Sequence, residues 1–348
     1  VTYGTIMPAM PGEPTQQGGV MHTRKLGRTG LDVSILGLGC GAVGGLMVRG
    51  STADQERVVA RALELGVTYF DTAPAYGDGQ SETNLGRVLA RLKPALILGT
   101  KLRVRTEEKA TLARSVAAGM DASLRRLGRD HVDLYQLHNP ITRDGEGQSM
   151  TPRFVVDEVL PAFESLRAQG KTRFIGFTAV GDTDALHALV KAGGFDTAQI
   201  CYNMLNPSMS VTLPTGYPGQ DYAGLLDRMQ AAGMGAIGIR ALAGGALSGA
   251  ASRHPIASPP PEPIGSGPDY EADCALAGHF QCLVDEGYAA SLAEASIRFA
   301  TGNPAIGTTL IGIATVDEFE TAAAGMAKGP LPAAALDRMR RLRQALAA

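Results

Sequence analysis

The sequence predicts an α/β fold closed into a (β/α)8 barrel, with an N-terminal β-hairpin and long loops at the C-terminal face of the strands. Three observations carry this. Short apolar runs bounded by Gly or Pro alternate with stretches of helical periodicity, the alternation occurs eight times between Ile35 and Met326, and 348 residues leave room for a barrel of about 250 residues plus insertions. Strict βα alternation implies parallel strands with right-handed crossovers. An open doubly wound sheet is the rival, but it would show G-x-G-x-x-G after its first strand. Gly39, Gly41, Gly44 and Gly45 imitate that turn loosely, with no acidic residue placed to confirm it.

The elements follow in order. Val1 to Val20 is rich in Gly, Pro and Gln and lacks the charged start and continuous apolar core of a signal peptide, so it reads as a flexible extension. Residues 21–348 read as one barrel domain. Thr23 to Gly27 and Asp32 to Ile35, linked through Arg28-Thr29-Gly30, form the hairpin. Ile35 to Cys40 is the first barrel strand, running into the Gly-rich loop Gly41 to Gly50. Ser51 starts a helix with Val58, Val59, Ala62 and Leu63 largely on one face, and Gly66 stops it. Strands then recur at Val67–Phe70, Ala95–Lys101, Val132–His138, Arg173–Phe177, Thr197–Tyr202, Met234–Arg240 and Thr308–Ile313, each followed by a helix. Ser81 reads as the cap of the helix after the second strand.

Two insertions break the rhythm, Asn203 to Gln220 and Ala241 to Gly287, the second holding the Pro-rich run His254 to Pro268. Both follow strand C-termini, the catalytic face of such barrels, and read as walls of a substrate pocket. The tail Leu331 to Ala348 reads as an amphipathic helix with Leu336, Met339, Leu342 and Leu346 inward and Arg338, Arg340, Arg341 and Arg343 outward.

Composition narrows the partners. Lys plus Arg total 32 against 34 for Asp plus Glu, which gives no electrostatic footprint for nucleic acid or an anionic membrane and favours a small molecule. No apolar run approaches the length of a membrane span. Cys40, Cys201, Cys274 and Cys282 lack CxxC or metal-ligand spacing, so reduced thiols and the cytoplasm are expected and no metal is. Cys40 reads as a buried filler, and Leu46 and Met47 fit either pocket lining or ordinary loop packing.

Chemistry concentrates at successive strand ends. Asp71 follows the second strand, Lys101 ends the third and His138 the fourth, while the loop after Asp71 carries Tyr76. A tyrosine can donate a proton at neutral pH, and a neighbouring ammonium favours its phenolate and so helps it cycle. Asp71 would hold Lys101, and His138 would orient a carbonyl beside the Tyr76 hydroxyl. Such a set polarises a carbonyl and exchanges one proton, which suits a reaction whose other component is a hydride. One histidine without clustered ligands argues against a metal-dependent hydrolase on the same barrel.

These residues stand in longer motifs: Arg24 to Ser34, Phe70-Asp71-Thr72-Ala73 with Tyr76-Gly77, Ser81-Glu82, Leu85-Gly86, Thr100-Lys101, Asp133 to His138, and Leu242 to Gly249. Through them the chain resembles the aldo-keto reductases from Arg24 to Met326. The resemblance implies Tyr76 as general acid/base, Lys101 and Asp71 as its tuning pair, His138 as the carbonyl-orienting residue, and NAD(P)H extended across the barrel mouth. It also implies a carboxamide grip by Thr178 and Gln199, with Ala179 in place of an expected Asn. Ile239 stands where an aromatic ring often stacks on nicotinamide. Arg240 would reach a phosphate or an acidic substrate, and Leu242, Gly244, Gly245 and Gly249 would approach the pyrophosphate. At the adenosine end the resemblance points to Ile311, Gly312, Ile313, Thr315 and Glu318. Glu318 and the lack of a basic side chain there lean towards NAD(H) or dual use, unless a residue such as Arg253 arrives from another loop. The expected activity is interconversion of an aldehyde, ketone or sugar carbonyl with its alcohol. The alternative is a cofactor-sensing or structural subunit of the same fold with little turnover, compatible with Ala179 and Ile239.

Overall fold

The structure, a computed structural model, describes residues 21–105 and 111–347, so the extension expected at Val1 to Val20 lies outside the described residues. Thr23–Lys25 (β1) and Asp32–Ser34 (β2) pair antiparallel. Eight parallel strands then close a barrel: Leu36–Gly39 (β3), Tyr69–Asp71 (β4), Ile97–Leu102 (β5), Val132–Leu137 (β6), Thr172–Ala179 (β7), Thr197–Cys201 (β8), Gly235–Ile239 (β9) and Thr308–Gly312 (β10). Neighbours follow chain order and β10 pairs with both β9 and β3, which completes the (β/α)8 TIM barrel.

The helices form because their apolar residues recur at helical spacing and face the strands. Thr52–Glu64 buries Val58, Val59 and Ala62, and the Ser51 side chain caps it by accepting from Asp54 N at 3.1 Å. Gln80–Leu92, Leu112–Leu127, Thr183–Ala192, Leu225–Ala231, Leu292–Gly302 and Val316–Ala327 repeat the scheme. The helix after β6 is segmented, with Pro152–Phe154, a π turn at Val155–Val159, and Leu160–Ala168.

The hairpin closes the barrel floor. Leu26, Leu31 and Val33 form one buried cluster with Tyr69, Leu134, Ile237 and Leu310 from the strands. Arg24 fastens it by donating to the carbonyls of Asn303 and Ile306, both at 2.8 Å, and of Thr301 at 2.9 Å. These carbonyls lie at the end of one helix and in the turn before β10, so one guanidinium ties three acceptors together, the Asn303 carbonyl also accepting from Ile306 N at 3.2 Å.

Three expectations change. Ser81 is not a cap: Gly79, in the left-handed region, precedes Gln80–Leu92, and the Ser81 hydroxyl instead pairs with Thr72 Oγ1 at 2.8 Å and donates to Cys40 O at 2.7 Å. The insertion Asn203 to Gln220 does not wall the main cavity; it buttresses the second insertion through Gln220 N donating to Gly265 O at 2.9 Å. The C-terminal helix, Ala333–Leu346, is rotated from the expected orientation. Met339 is buried as expected, but Leu336 is exposed and Arg343 is buried. Arg343 Nη2 finds an acceptor in the Met204 carbonyl at 3.1 Å, and aromatic rings receive its guanidinium face.

Candidate active site

Strand pleating explains which side chains meet. Alternate residues of a strand share a face, so Tyr69 and Asp71 on β4, Gln136 on β6 and Gln199 on β8 project into one polar layer inside the barrel. Asp71 Oδ2 accepts from Tyr69 Oη at 3.1 Å, Gln136 Nε2 at 3.1 Å and Gln199 Nε2 at 2.8 Å. Gly99 on β5 leaves room for them, since a Cβ there would press Asp71 Oδ2 at 3.2 Å and collide with the Tyr69 hydroxyl. The carboxylate is thus held by three neutral donors on one oxygen and by an ammonium on the other.

That ammonium is Lys101, fully buried at the end of β5. Its Nζ donates to Asp71 Oδ1, to Thr72 O at 2.9 Å and to Tyr76 Oη at 3.2 Å, which uses its three protons. Burial disfavours the charged form, but Asp71 and Tyr76 outweigh it, and the Lys101 pKa is raised. Tyr76 itself is half-buried on the loop between β4 and the next helix. Asp78, Gly77 and Gly79 all have left-handed φ there, and this tight turn folds the phenol back over the barrel mouth. His138 stands beside it, the two rings edge to face with centroids 5.7 Å apart. Burial, then Lys101 and Arg103, hold the imidazole pKa well below its ordinary value, so His138 is neutral at physiological pH. The four residues expected at the strand ends therefore converge.

They open into a cavity of about 860 Å³ that runs from Asp71, Tyr76 and His138 at one end to Thr315 and Glu318 at the other. Its size and elongation suit a dinucleotide with room for a small substrate. Thr178 lines it, and Thr178 Oγ1 is buried without a hydrogen-bond partner, an orphaned group of the kind a carboxamide satisfies. Gln199 lines it too, although its Nε2 is engaged by Asp71. Ile239, Arg240 and Leu242 continue the wall, with Arg240 at φ +59° and its Nη1 donating to Glu262 O at 3.0 Å. Gly244 and Gly245 follow at φ +68° and +111°, and a Cβ on Gly245 would strike the Arg253 guanidinium, so the backbone lies bare to the cavity only because both are glycine. Gly249 differs: it ends the 3₁₀ turn Ala243–Ser248 in the left-handed region and does not line the cavity.

At the far end Ile311, Gly312 and Ile313 pass under the cavity, and Thr315 caps the helix Val316–Ala327 by accepting from Glu318 N at 3.2 Å. The Glu318 carboxylate in turn accepts from Ala314 N, the residue before the cap, at 2.7 Å, a variant of the capping box that places an anion at the cavity edge beside Asp317. Arg253 lines the cavity, but its donors are engaged by Gly244 O, Ala257 O at 2.8 Å and Tyr270 Oη at 3.1 Å. Leu46 and Met47, expected in a loop, start the short helix Leu46–Arg49 and are buried there outside the lining. Cys40 is buried, and burial first, then Asp71, pushes its thiol up, so it is an inert filler.

Gln136 and Tyr69 take part without being singled out as site residues from the sequence, whereas Arg253, named as a basic residue that another loop could bring, does line the cavity. For both a signal exists: each stands two residues before a residue that was, which in a strand means the same face. What the sequence did not show for Arg253 is its engagement by Gly244, Ala257 and Tyr270 of its own insertion, which has no periodicity to place them.

Residues 35–344 match the aldo/keto reductase family. The chain is 29% identical to L-galactose dehydrogenase of Arabidopsis thaliana over 308 residues, 86% of each protein. It is 30% identical to the NADH-specific methylglyoxal reductase of Escherichia coli over 203 residues, 53% of this chain and 60% of that one. An aldo-keto reductase from Bacillus halodurans in its holo form superposes with a TM-score of 0.66 at 25% identity, covering 94% of this chain and 97% of that chain. No helix among the described residues is long and apolar enough to cross a membrane. A family match across nearly the whole chain, on a closed parallel barrel whose mouth carries this polar cluster, shows that the chain belongs to the aldo/keto reductase family and is an NAD(P)-dependent oxidoreductase of carbonyls and alcohols.

Proposed function

We propose that this chain, a single-domain barrel, interconverts a small aldehyde, ketone or sugar carbonyl with its alcohol, with Tyr76 as the general acid/base. The observation that carries the assignment is the Lys101 contact to Tyr76 Oη at 3.2 Å, made by an ammonium that Asp71 and Thr72 hold in place. Because the phenol oxygen accepts from Lys101, its own proton is left for the substrate oxygen. The ammonium stays charged throughout, so it steadies negative charge on Tyr76 whenever that proton leaves. Neutral His138 has one N–H to offer, and donating it to the same substrate oxygen fixes the carbonyl beside Tyr76.

NAD(P)H, when bound, supplies the hydride in one direction and accepts it in the other. Thr178 Oγ1 would hold its carboxamide, and the bare backbone at Gly244 and Gly245 would follow its pyrophosphate. Ile239 packs where a ring would stack, and Leu242, Ile311, Gly312, Ile313 and Thr315 line the rest of the path. NAD(H), or dual use, is favoured over strict NADP(H): Glu318 and Asp317 would repel a 2′-phosphate, and Arg253 is already engaged. The likeness to L-galactose dehydrogenase supports placing sugars first among substrates. The cytoplasm is the proposed location, supported by four free cysteines.

The test is Tyr76→Phe. Turnover on a panel of sugars and aldehydes should fall by about 10²–10⁴-fold, the usual worth of a positioned acid or base. NADH binding, followed by calorimetry because the chain has no tryptophan, should stay within about twofold. Unchanged turnover would remove Tyr76 from the role.

A further inference from the structure

A second cavity, of about 630 Å³, lies away from the barrel mouth, between the helix Leu292–Gly302, the loop after β8 and the C-terminal helix Ala333–Leu346. Its walls are largely apolar, with Leu213, Phe299, Leu331 and Met339 among them. Val211 and Leu336, exposed at 47% and 40%, stand at its edge, two of the three large apolar side chains left exposed among the described residues. Among the described residues no acidic side chain lines it, whereas Arg298, Arg340 and Arg343 all do.

Arg298 and Arg340 already pair with Glu294 and Asp337. Arg343 pairs with no carboxylate among the described residues. It is 7% exposed, its Nη2 donates to Met204 O at 3.1 Å, and its Nε has no hydrogen-bond partner among the described residues. An arginine remains protonated in such surroundings, so the wall holds a desolvated cation without a counter-charge among the described residues. Rings of Phe280 and Phe299 at 5.8 and 5.9 Å soften that cost but supply no anion. The cavity therefore offers apolar volume, one uncompensated buried cation and an apolar rim together.

We propose that this cavity binds a small amphiphilic anion, a medium-chain monocarboxylate whose head meets the Arg343 side and whose tail fills the space lined by Leu213, Phe299, Leu331 and Met339. The volume falls within the range of about 300–1,000 Å³ typical of small-molecule sites, and a charge-assisted contact is the form of recognition that an unpaired arginine provides. The site is separate from the cofactor cavity, and the two share no lining residue.

The full chain should be titrated by calorimetry with decanoate and with decanol, both below their aggregation limits, with and without saturating NADH. The expected result is saturable binding of one decanoate per chain, at least tenfold tighter than decanol and unaffected by NADH. Arg343→Met should weaken decanoate at least tenfold and leave decanol unchanged. Should that variant fail to fold, Leu336→Glu on the exposed rim carries the test, since its carboxylate repels the anion and should also cost tenfold. The absence of saturable binding, equal affinities for acid and alcohol, or competition with NADH would each overturn the proposal. So would decanoate binding that splits a dimer seen by light scattering, because the rim would then belong to a second copy.

Discussion

Lys101 is the side chain whose removal reaches furthest, because three neighbours depend on its three protons. Lys101→Met would leave the Asp71 carboxylate buried against Tyr69, Gln136 and Gln199 with no cation. Removing one partner of a buried pair costs about 3–5 kcal/mol, so urea unfolding should show a loss of that order together with near-complete loss of turnover. Its pKa is raised in the fold, so the stability it contributes is intact at neutral pH and is lost only as pH rises past the ordinary lysine range. His138 works in the opposite sense. Its pKa is depressed by burial, then by Lys101 and Arg103, so below about pH 6.5 the unfolded chain takes up a proton that the folded one refuses. Stability should therefore fall from pH 7 to pH 5, and His138→Asn should flatten that part of the profile in urea titrations. Asp71, Tyr76, Lys101 and His138 were legible in the sequence because each ends a strand or follows one closely. Gln136 and Tyr69 were not singled out, because an amide or a phenol inside a strand reads equally well as sheet packing.

Among the elements, the start of the helix Val316–Ala327 decides the most about the cofactor. Thr315 and Glu318 form a reciprocal cap, which satisfies two backbone amides and fixes an anion at the cavity edge. Glu318→Lys replaces that anion with a cation and frees Ala314 N. The ratio of kcat/KM for NADPH over NADH should rise at least tenfold, worth about 1.4 kcal/mol, in steady-state assays with both cofactors. An unchanged ratio would place the adenosine elsewhere. The acidic residue was readable from the sequence, but its reach back to Ala314 was not, since a carboxylate three residues after a threonine describes a cap and says nothing of which cavity the cap faces. Ser81 shows the reverse failure: its sequence context reads as a cap, yet its hydroxyl ties the loop of Tyr76 to Thr72 and Cys40.

For the molecule as a whole, the two ends of the barrel divide the labour. The C-terminal ends of the strands carry the reactive cluster, and the N-terminal ends are sealed by the β1–β2 hairpin. Arg24→Ala removes three charge-assisted contacts that hold the seal, each to a backbone carbonyl in the segment leading into β10. Stability measured in urea should fall by about 2–3 kcal/mol, with kcat and KM for the cofactor unchanged because nothing at the mouth moves. A matching loss of kcat would mean that the floor and the mouth are coupled.

Eight alternations of apolar run and amphipathic stretch determined the barrel by themselves, because strand and helix periods are local properties and eight βα units leave few ways to bury their faces. The order of those units also determined that Asp71, Lys101 and His138 would stand on adjacent strands. What only the tertiary structure decided depends on partners that no local period places: the triple amide and phenol grip on Asp71, the engagement of Arg253 by its own loop, the absence of Asn203 to Gln220 from the wall, and the inward turn of Arg343. Two faces of the C-terminal helix contend for burial, and periodicity favours the leucines. The ring faces of Phe280 and Phe299 and the carbonyl of Met204 reward a guanidinium instead, and no local pattern records where those groups will be.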